Sequence, residues 1–473
     1  MTSSRTAHPT FSTRSVLSFV TVATLVIGLA RPAMGAPTGS LVAGEAANLG
    51  FCGGDDWEPE IAADHLGHVY VVLAHFPGDP SCDPASGGPR EIFVRASSDG
   101  GQTFGPLVAV PRLGYPSVVD CVITIDEVTG AVYVSFLAWG KPDMHFADAD
   151  VLVAKSLDFG NTWTTRKING PLCTACDHPW LVAHDDNVYV MYASGEDHFL
   201  SRSDDGGASW TESLVLEDTH VAFAEGAVLD AAGNAWFAWG DCLGNCTGKT
   251  ATIYQVSKTT AGTSDTAFAQ VAEGTAGPHC PPSVSCGFAY WGPQDDIAID
   301  RAGNLYLVWQ DNLPDKPSRP PIVQLSSCSA GTDCTESANW SYVGRVDDKT
   351  ATGCAGGACY ALYPRIEGGA AGQISVIWMD DRLGAPLDHN NGWNVWYRTS
   401  SNGGLSWTGS SVRVSQFDPA RSESHENGFE FPYGDYQGID LLGNEAVMVW
   451  GEGHNYVGGP SNPGHVIYRS MLT

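Results

Sequence analysis

Acidic side chains recur just ahead of similar apolar segments throughout this 473-residue chain. Asp55, Asp56 and Glu58 precede the first segment, Asp120 the second, Asp177 and His178 the third, and His220 and Glu225 the fourth. Gln294, Asp295 and Asp296 lead into the fifth, Tyr363 and Arg365 into the sixth, and Tyr433, Asp435 and Tyr436 into the seventh. Asp311, Asp380, Asp381, Arg382, Glu452 and His454 follow such segments. Two carboxyl groups facing each other across a pocket can share the acid and base work on a glycosidic bond, provided the surroundings keep one of them protonated. A tyrosine beside a carboxylate can pass on its proton and act as a nucleophile. Neighbouring carboxylates such as Asp295 and Asp296 suit Ca²⁺, a hard cation, although no EF-hand or RTX-type loop accompanies them. No other cofactor is expected. Trp57, Trp180, Tyr290 and Trp291 add aromatic surface near the same positions, and His178 also reads as a hydrogen-bonded structural residue.

The elements that must position these residues are repeats. Each copy has an apolar segment, often ending in Asp, then a turn containing Gly or Asn, then a run of β-branched and aromatic residues. The copies start at Glu60, Val122, Trp180, Gly226, Asp296, Arg365 and Gly438. Each such unit reads as a β-hairpin. A second pattern follows four of the hairpins. It runs Ser97–Phe104, Ser156–Trp163, Ser203–Trp210 and Ser400–Trp407, the last with Asn402 in the Asp position. Copies four and five keep only vestiges near Ser257 and Ser326. Ser and Asp side chains can satisfy backbone donors in a tight turn, Gly permits a positive φ, and the closing aromatic ring buries apolar area. Asp99, Asp158 and Asp205 are therefore expected to staple turns rather than to catalyse.

The Ser-x-Asp-x-Gly-x-Ser/Thr-Trp pattern resembles the Asp-box of the sialidase and BNR-repeat superfamily. With the hairpin pattern, the resemblance covers essentially the whole chain beyond residue 35. It implies an all-β fold of four-stranded blades around an axis, a β-propeller. Seven copies predict seven blades, six being the alternative if one hairpin is an insertion. The seventh copy supplies two strands and a third at His465–Ser470. Ser40–Ala43 resembles the fourth-strand segment Gly105–Ala109, so an N-terminal strand is expected to complete the last blade. The residues singled out above then line one mouth of the central channel.

Sialidases work with a Tyr–Glu nucleophile pair, an Asp acid/base and three arginines that hold the substrate carboxylate. In chain order the resemblance implies Asp56 or Asp120, then Glu225, Arg365, Arg382 and Tyr436, with Asp177, His178, Trp291, Tyr363 and Asp435 binding substrate. Two departures stand out. The family's early Arg-Ile-Pro motif is absent, Pro59-Glu60-Ile61 standing in its place, and Tyr363-Pro364-Arg365-Ile366 is only a scrambled relic. Few other arginines fall near the mouth, Arg112 and Arg421 being the remaining candidates. So acidic a mouth repels a carboxylate substrate and favours a neutral or cationic ligand, or a metal ion. The expected function is an exo-acting, sialidase-like glycan hydrolase. A non-catalytic glycan- or protein-binding propeller and a polysaccharide lyase on the same fold are the alternatives.

Bulk composition bounds the partners. The chain has 24 basic residues against 53 acidic ones, a net charge of −29, and this disfavours nucleic acid and anionic membrane surfaces. Hydrophobic residues make up 43%, enough for a core, which excludes a disordered chain. Residues Met1 to Gly35 read as a secretory signal peptide. Arg5 and Arg14 precede an apolar stretch, Val16–Ala30, and small residues stand at Ala33 and Gly35, with cleavage before Ala36. Residues 36–473 are then one secreted, extracellular domain, expected to act as a monomer on a glycan or glycoconjugate without inserting into membranes. Thirteen cysteines fit an oxidising compartment. Close pairs at Cys173/Cys176, Cys242/Cys246, Cys280/Cys286, Cys328/Cys334 and Cys354/Cys359 suit loop staples, and a Cys52–Cys82 pair would leave Cys121 over.

Overall fold

The computed structural model describes residues 47–50, 55–77, 88–141, 148–243, 251–275, 293–311, 321–349, 359–383, 394–415, 437–453 and 464–473. They form seven four-stranded antiparallel sheets, and each blade begins on the predicted inner hairpin. The innermost strands of blades one to seven are Asp55–Ala63, Ser117–Asp126, Asp177–His184, His220–Leu229, Asp295–Ile299, Ala361–Gly368 and Gly438–Leu442. Each contacts the innermost strands of the blades on either side, and blade seven returns to blade one. Seven blades therefore stand, and the six-blade alternative falls.

Burial follows from this layout. The second strands of blades one and two, Val69–Phe76 and Ala131–Trp139, are buried at every position. A blade between two others has both faces covered, so its middle strands read as unbroken apolar runs instead of alternating ones. The largest buried rings, Trp239, Trp378 and Trp450, occupy corresponding places in the second strands of blades four, six and seven.

The ring is closed from the N-terminal side, as expected, but by a different segment. Ala47 pairs with Tyr468 and Asn48 with Ile467, which puts Ala47–Asn48 on the outer edge of blade seven. Ser40–Ala43 lies outside the described residues. A strand from one end of the chain pairing with a strand from the other end leaves no open blade.

The Ser-x-Asp-x-Gly turns behave as staples. In the second copy, Ser156 Oγ donates to Asp158 Oδ1 (2.9 Å) and accepts from the Gly160 amide (2.9 Å). Asp158 accepts from the Thr162 amide (2.8 Å) and hydroxyl (2.7 Å). Trp163 closes the turn by donating to the Gly160 carbonyl (2.9 Å). The same bonds recur around Asp99 and Asp205, and Asn402 substitutes in the fourth copy. Gly160 holds φ at 74°, which its lack of a Cβ permits. These donors pull the Asp99 carboxyl down to about 2. In blade five a Cys328–Cys334 disulfide spans the corresponding turn, and Trp340 Nε1 donates to the Cys334 carbonyl (2.9 Å). Cys173–Cys176 is also bonded, and Cys121 is a buried free thiol.

Candidate functional site

Five innermost strands share a defect at one level. Their pairing slips between Trp57 and Glu60, Val119 and Val122, Asp177 and Trp180, Ala224 and Gly226, and Leu362 and Arg365. Each slip is a β-bulge, which turns an extra side chain out of the ladder. The bulged residues are Glu58, Asp120, His178, Glu225 and Tyr363. Four of them hold a left-handed backbone, with φ of 50° at Glu58, 54° at Asp120, 48° at His178 and 55° at Tyr363. Such a conformation costs a non-glycine residue of order 1–3 kcal/mol and persists where the surroundings impose it, often at functional sites. Proline follows the bulged residue in Glu58-Pro59, His178-Pro179 and Tyr363-Pro364.

The bulges assemble an acidic ring. The Asp120 amide donates to Glu58 Oε2 (3.0 Å), which brings the two carboxyls close. Burial, then the charges of Glu58 and Asp177, raise the Asp120 carboxyl well above the ordinary carboxylate range, against an opposing pull from His178. Asp120 and Asp177 remain partly exposed at the mouth, whereas Glu58, His178, Glu225 and Tyr363 are buried around them. His178 Nδ1 lies 3.6 Å from Glu225 Oε1, and its ring meets Phe223 edge-on at 5.1 Å. Asp295, 1% exposed, has no hydrogen-bond partner at either carboxyl oxygen. Burial and the nearby Glu225 raise it well above its usual range too.

Below the ring, Arg365 crosses the channel. Its Nη2 donates to Glu60 Oε2 (3.0 Å), Nη1 donates to the Glu225 carbonyl and lies 3.6 Å from Asp296 Oδ1, and the guanidinium sits 4.2 Å above the Trp180 ring. One side chain from blade six thus ties down blades one, three, four and five. Beneath it lies a cavity of about 300 Å³ lined by the innermost strands of all seven blades.

This lower channel carries buried carboxyls. Burial outweighs the attraction of Arg365 and raises Glu60 to about 8 and Asp296 to about 6, and burial raises Asp440 to about 7. A carboxyl whose folded pKa lies above its unfolded value binds more protons when folded, so its contribution is present at low pH and is lost as pH rises. Thermal stability is expected to fall from about pH 5 to pH 8, and Glu60→Gln should flatten that fall in melts across this range. A wild-type melting temperature that rises steadily to pH 8 would contradict the assignment.

The expected site residues fare differently. Asp120, Asp177, His178 and Glu225 come together, and Glu58 joins them as a partner that the family resemblance did not single out. Its signal was the x-Pro dipeptide repeated in one slot of three copies. Asp56 is fully buried inside blade one, where Oδ1 bonds His75 Nδ1 at 2.8 Å, so Asp120 takes the place at the mouth. Arg365 braces the ring where the resemblance implied a grip on substrate. Arg382 bonds Asp380 (2.6 Å from Nη2) and Asp348 (2.9 Å from Nη1) and stacks on Trp396 at 3.9 Å, beside the outermost strands of blades five and six. Tyr363 is buried, its carbonyl accepting from Gln437 Nε2 (2.8 Å). Asp295 and Asp296 are consecutive residues of one strand, so their side chains leave it in opposite directions. Asp296 spends its oxygens on the amides of Ile297 (2.9 Å) and Ile366 (2.8 Å). Tyr436, Asp435 and Trp291 lie outside the described residues.

Among known proteins, no family model matches the chain, and no curated protein matches it in sequence. Solved structures do match in shape. An ulvan lyase, a polysaccharide lyase bound to -[GlcA(1-4)Rha3S]-, superposes with a TM-score of 0.52 at 9% identity, over 89% of this chain and 95% of the lyase. A Hadza microbial sialidase gives 0.44 at 14% identity over 88% of this chain, which spans 65% of that sialidase's length. An intramolecular trans-sialidase from Ruminococcus gnavus gives 0.41 at 10% identity, over 90% and 96%. In fold, the chain is a seven-bladed β-propeller, the shape it shares with the ulvan lyase. No helix among the described residues is long and apolar enough to cross a membrane.

Proposed function

We propose that this protein is a secreted glycan hydrolase whose general acid is Asp120, its carboxyl pushed up by burial and by the neighbouring Glu58. The observation that carries the reading is the pair of acidic residues itself. Two acidic residues on adjacent blades meet at strained bulge positions, the Asp120 amide donating to Glu58 Oε2, with Asp120 partly open to the mouth. A carboxyl whose pKa is raised well above the ordinary carboxylate range can hand a proton to a departing glycosidic oxygen. The His178–Glu225 pair supplies the second group, placed to take a proton from water. The ring is acidic, and Arg365 beside it is already paired with Glu60 and Asp296. This favours neutral sugars or amino sugars over sialic or uronic acids.

A lyase reading draws on His178 and Tyr363, since β-elimination needs a base and an acid. It also needs a cation to neutralise the uronate, and Arg365 is committed to Glu60 and Asp296. The test is a panel of neutral, amino-sugar, sialylated and uronate-containing glycans, read by new reducing ends and by absorbance of unsaturated products. New reducing ends without unsaturation, from neutral or amino-sugar substrates, are expected. Unsaturated products would favour the lyase. Binding without cleavage across the panel would make the protein a glycan-recognition module.

A further inference from the structure

A second cluster lies off the axis, between blades three and four. His198 is in the third strand of blade three (Asp197–Ser203), Asp218 in the connection to blade four, and Asp241 in the second strand of blade four (Ala235–Leu243). One ligand atom from each lies within 4.8 Å of the others. His198 and Asp241 are fully buried. Both ring nitrogens of His198 and Oδ1 of Asp241 lack a hydrogen-bond partner, although His198 Nε2 and Asp241 Oδ1 are 3.4 Å apart. His198 Nδ1 has no partner and the other two atoms have only each other at a long 3.4 Å, a costly arrangement in a dry interior that a shared ligand would offset.

The surroundings hold the three residues as metal ligands are held. Gln255 Nε2 donates to the other Asp241 oxygen. Asp218 accepts from the Thr219 amide and bonds His220 Nδ1 at 3.0 Å. The His198 ring is fixed against Trp239 at 4.2 Å and Phe268 at 5.5 Å. Such partners aim first ligands and raise their basicity. We infer that His198, Asp218 and Asp241 form a binding site for a first-row divalent cation such as Zn²⁺ or Mn²⁺. An imidazole with two carboxylates suits these ions, whereas Ca²⁺ takes six or more oxygens. Ligand bonds of about 2.1 Å ask for atoms about 3.4 Å apart in a tetrahedron, so binding draws the residues together by roughly an ångström. Asp218 is the partly exposed member. The ion would stitch blade three to blade four and offset the acidic field that Asp241 exerts on Asp295.

The inference is independent of the hydrolase reading, since its test reads metal content and stability. Tag-free, disulfide-intact protein would be stripped with a chelator and titrated calorimetrically with Zn²⁺, Mn²⁺ and Ca²⁺ separately, followed by metal analysis after gel filtration. One equivalent of Zn²⁺ or Mn²⁺, with a melting temperature raised by several degrees, is expected. Asp218→Asn changes the partly exposed ligand and should lose stoichiometric binding while keeping the stripped protein's melting temperature. His198→Gln should lose it as well. Absence of stoichiometric binding by the wild type, binding of Ca²⁺ alone, or undiminished binding by Asp218→Asn would overturn the assignment.

Discussion

Asp120→Asn is expected to lower turnover by about 10²- to 10⁴-fold, the range general acid catalysis supplies, with little change in melting temperature. Asparagine keeps the shape and still meets Glu58, but it has no proton to give to a leaving oxygen. The pH profile separates this role from a structural one. The acid must be protonated to work, so wild-type kcat should decline as pH rises through the elevated Asp120 pKa. Glu58→Gln removes the charge that is the second largest cause of that elevation, and the alkaline limb should move to lower pH. A substrate with an activated leaving group, which needs no proton, should rescue Asp120→Asn in part. Full activity in Asp120→Asn would remove Asp120 from the chemistry.

Arg365→Met should be the most destabilising single change in the channel, by about 3–5 kcal/mol at pH 8 in denaturant unfolding. The substitution keeps much of the side-chain volume over Trp180 but leaves the buried Glu60 and Asp296 without their counter-charge. Those carboxyls can escape by taking up protons, so the loss should shrink toward pH 5. Adding Glu60→Gln to Arg365→Met should recover part of the stability, because it removes one of the stranded charges. A substrate-gripping arginine would behave differently, raising KM when replaced while leaving stability nearly unchanged.

Much of this molecule is written in short stretches of chain. The hairpins at Glu60, Val122, Trp180, Gly226, Asp296, Arg365 and Gly438 each rest on an apolar segment, a turn and a run of β-branched and aromatic residues over about a dozen residues, and each became an innermost pair. The staples at Asp99, Asp158 and Asp205 involve bonds spanning two to four residues, so their roles were readable from spacing alone. The bulges were half legible: proline after Glu58, His178 and Tyr363 marks three of the five, but Asp120 and Glu225 carry no such mark.

What the chain could not announce locally is who meets whom across the ring. Glu58 and Asp120 are separated by 62 residues, Arg365 and Glu60 by 305. Two arginines suggested by chain order ended on different partners, one bracing the axis and one beside the outer strands. His198, Asp218 and Asp241 follow no ligand spacing, because their proximity comes from two blades packing face to face. Local sequence determined the repeating unit, since turns and strand alternation depend on near neighbours. Closure of seven units decided the site, since only the ring brings distant carboxyls into one poorly solvated space where their charges must be shared, neutralised or paired.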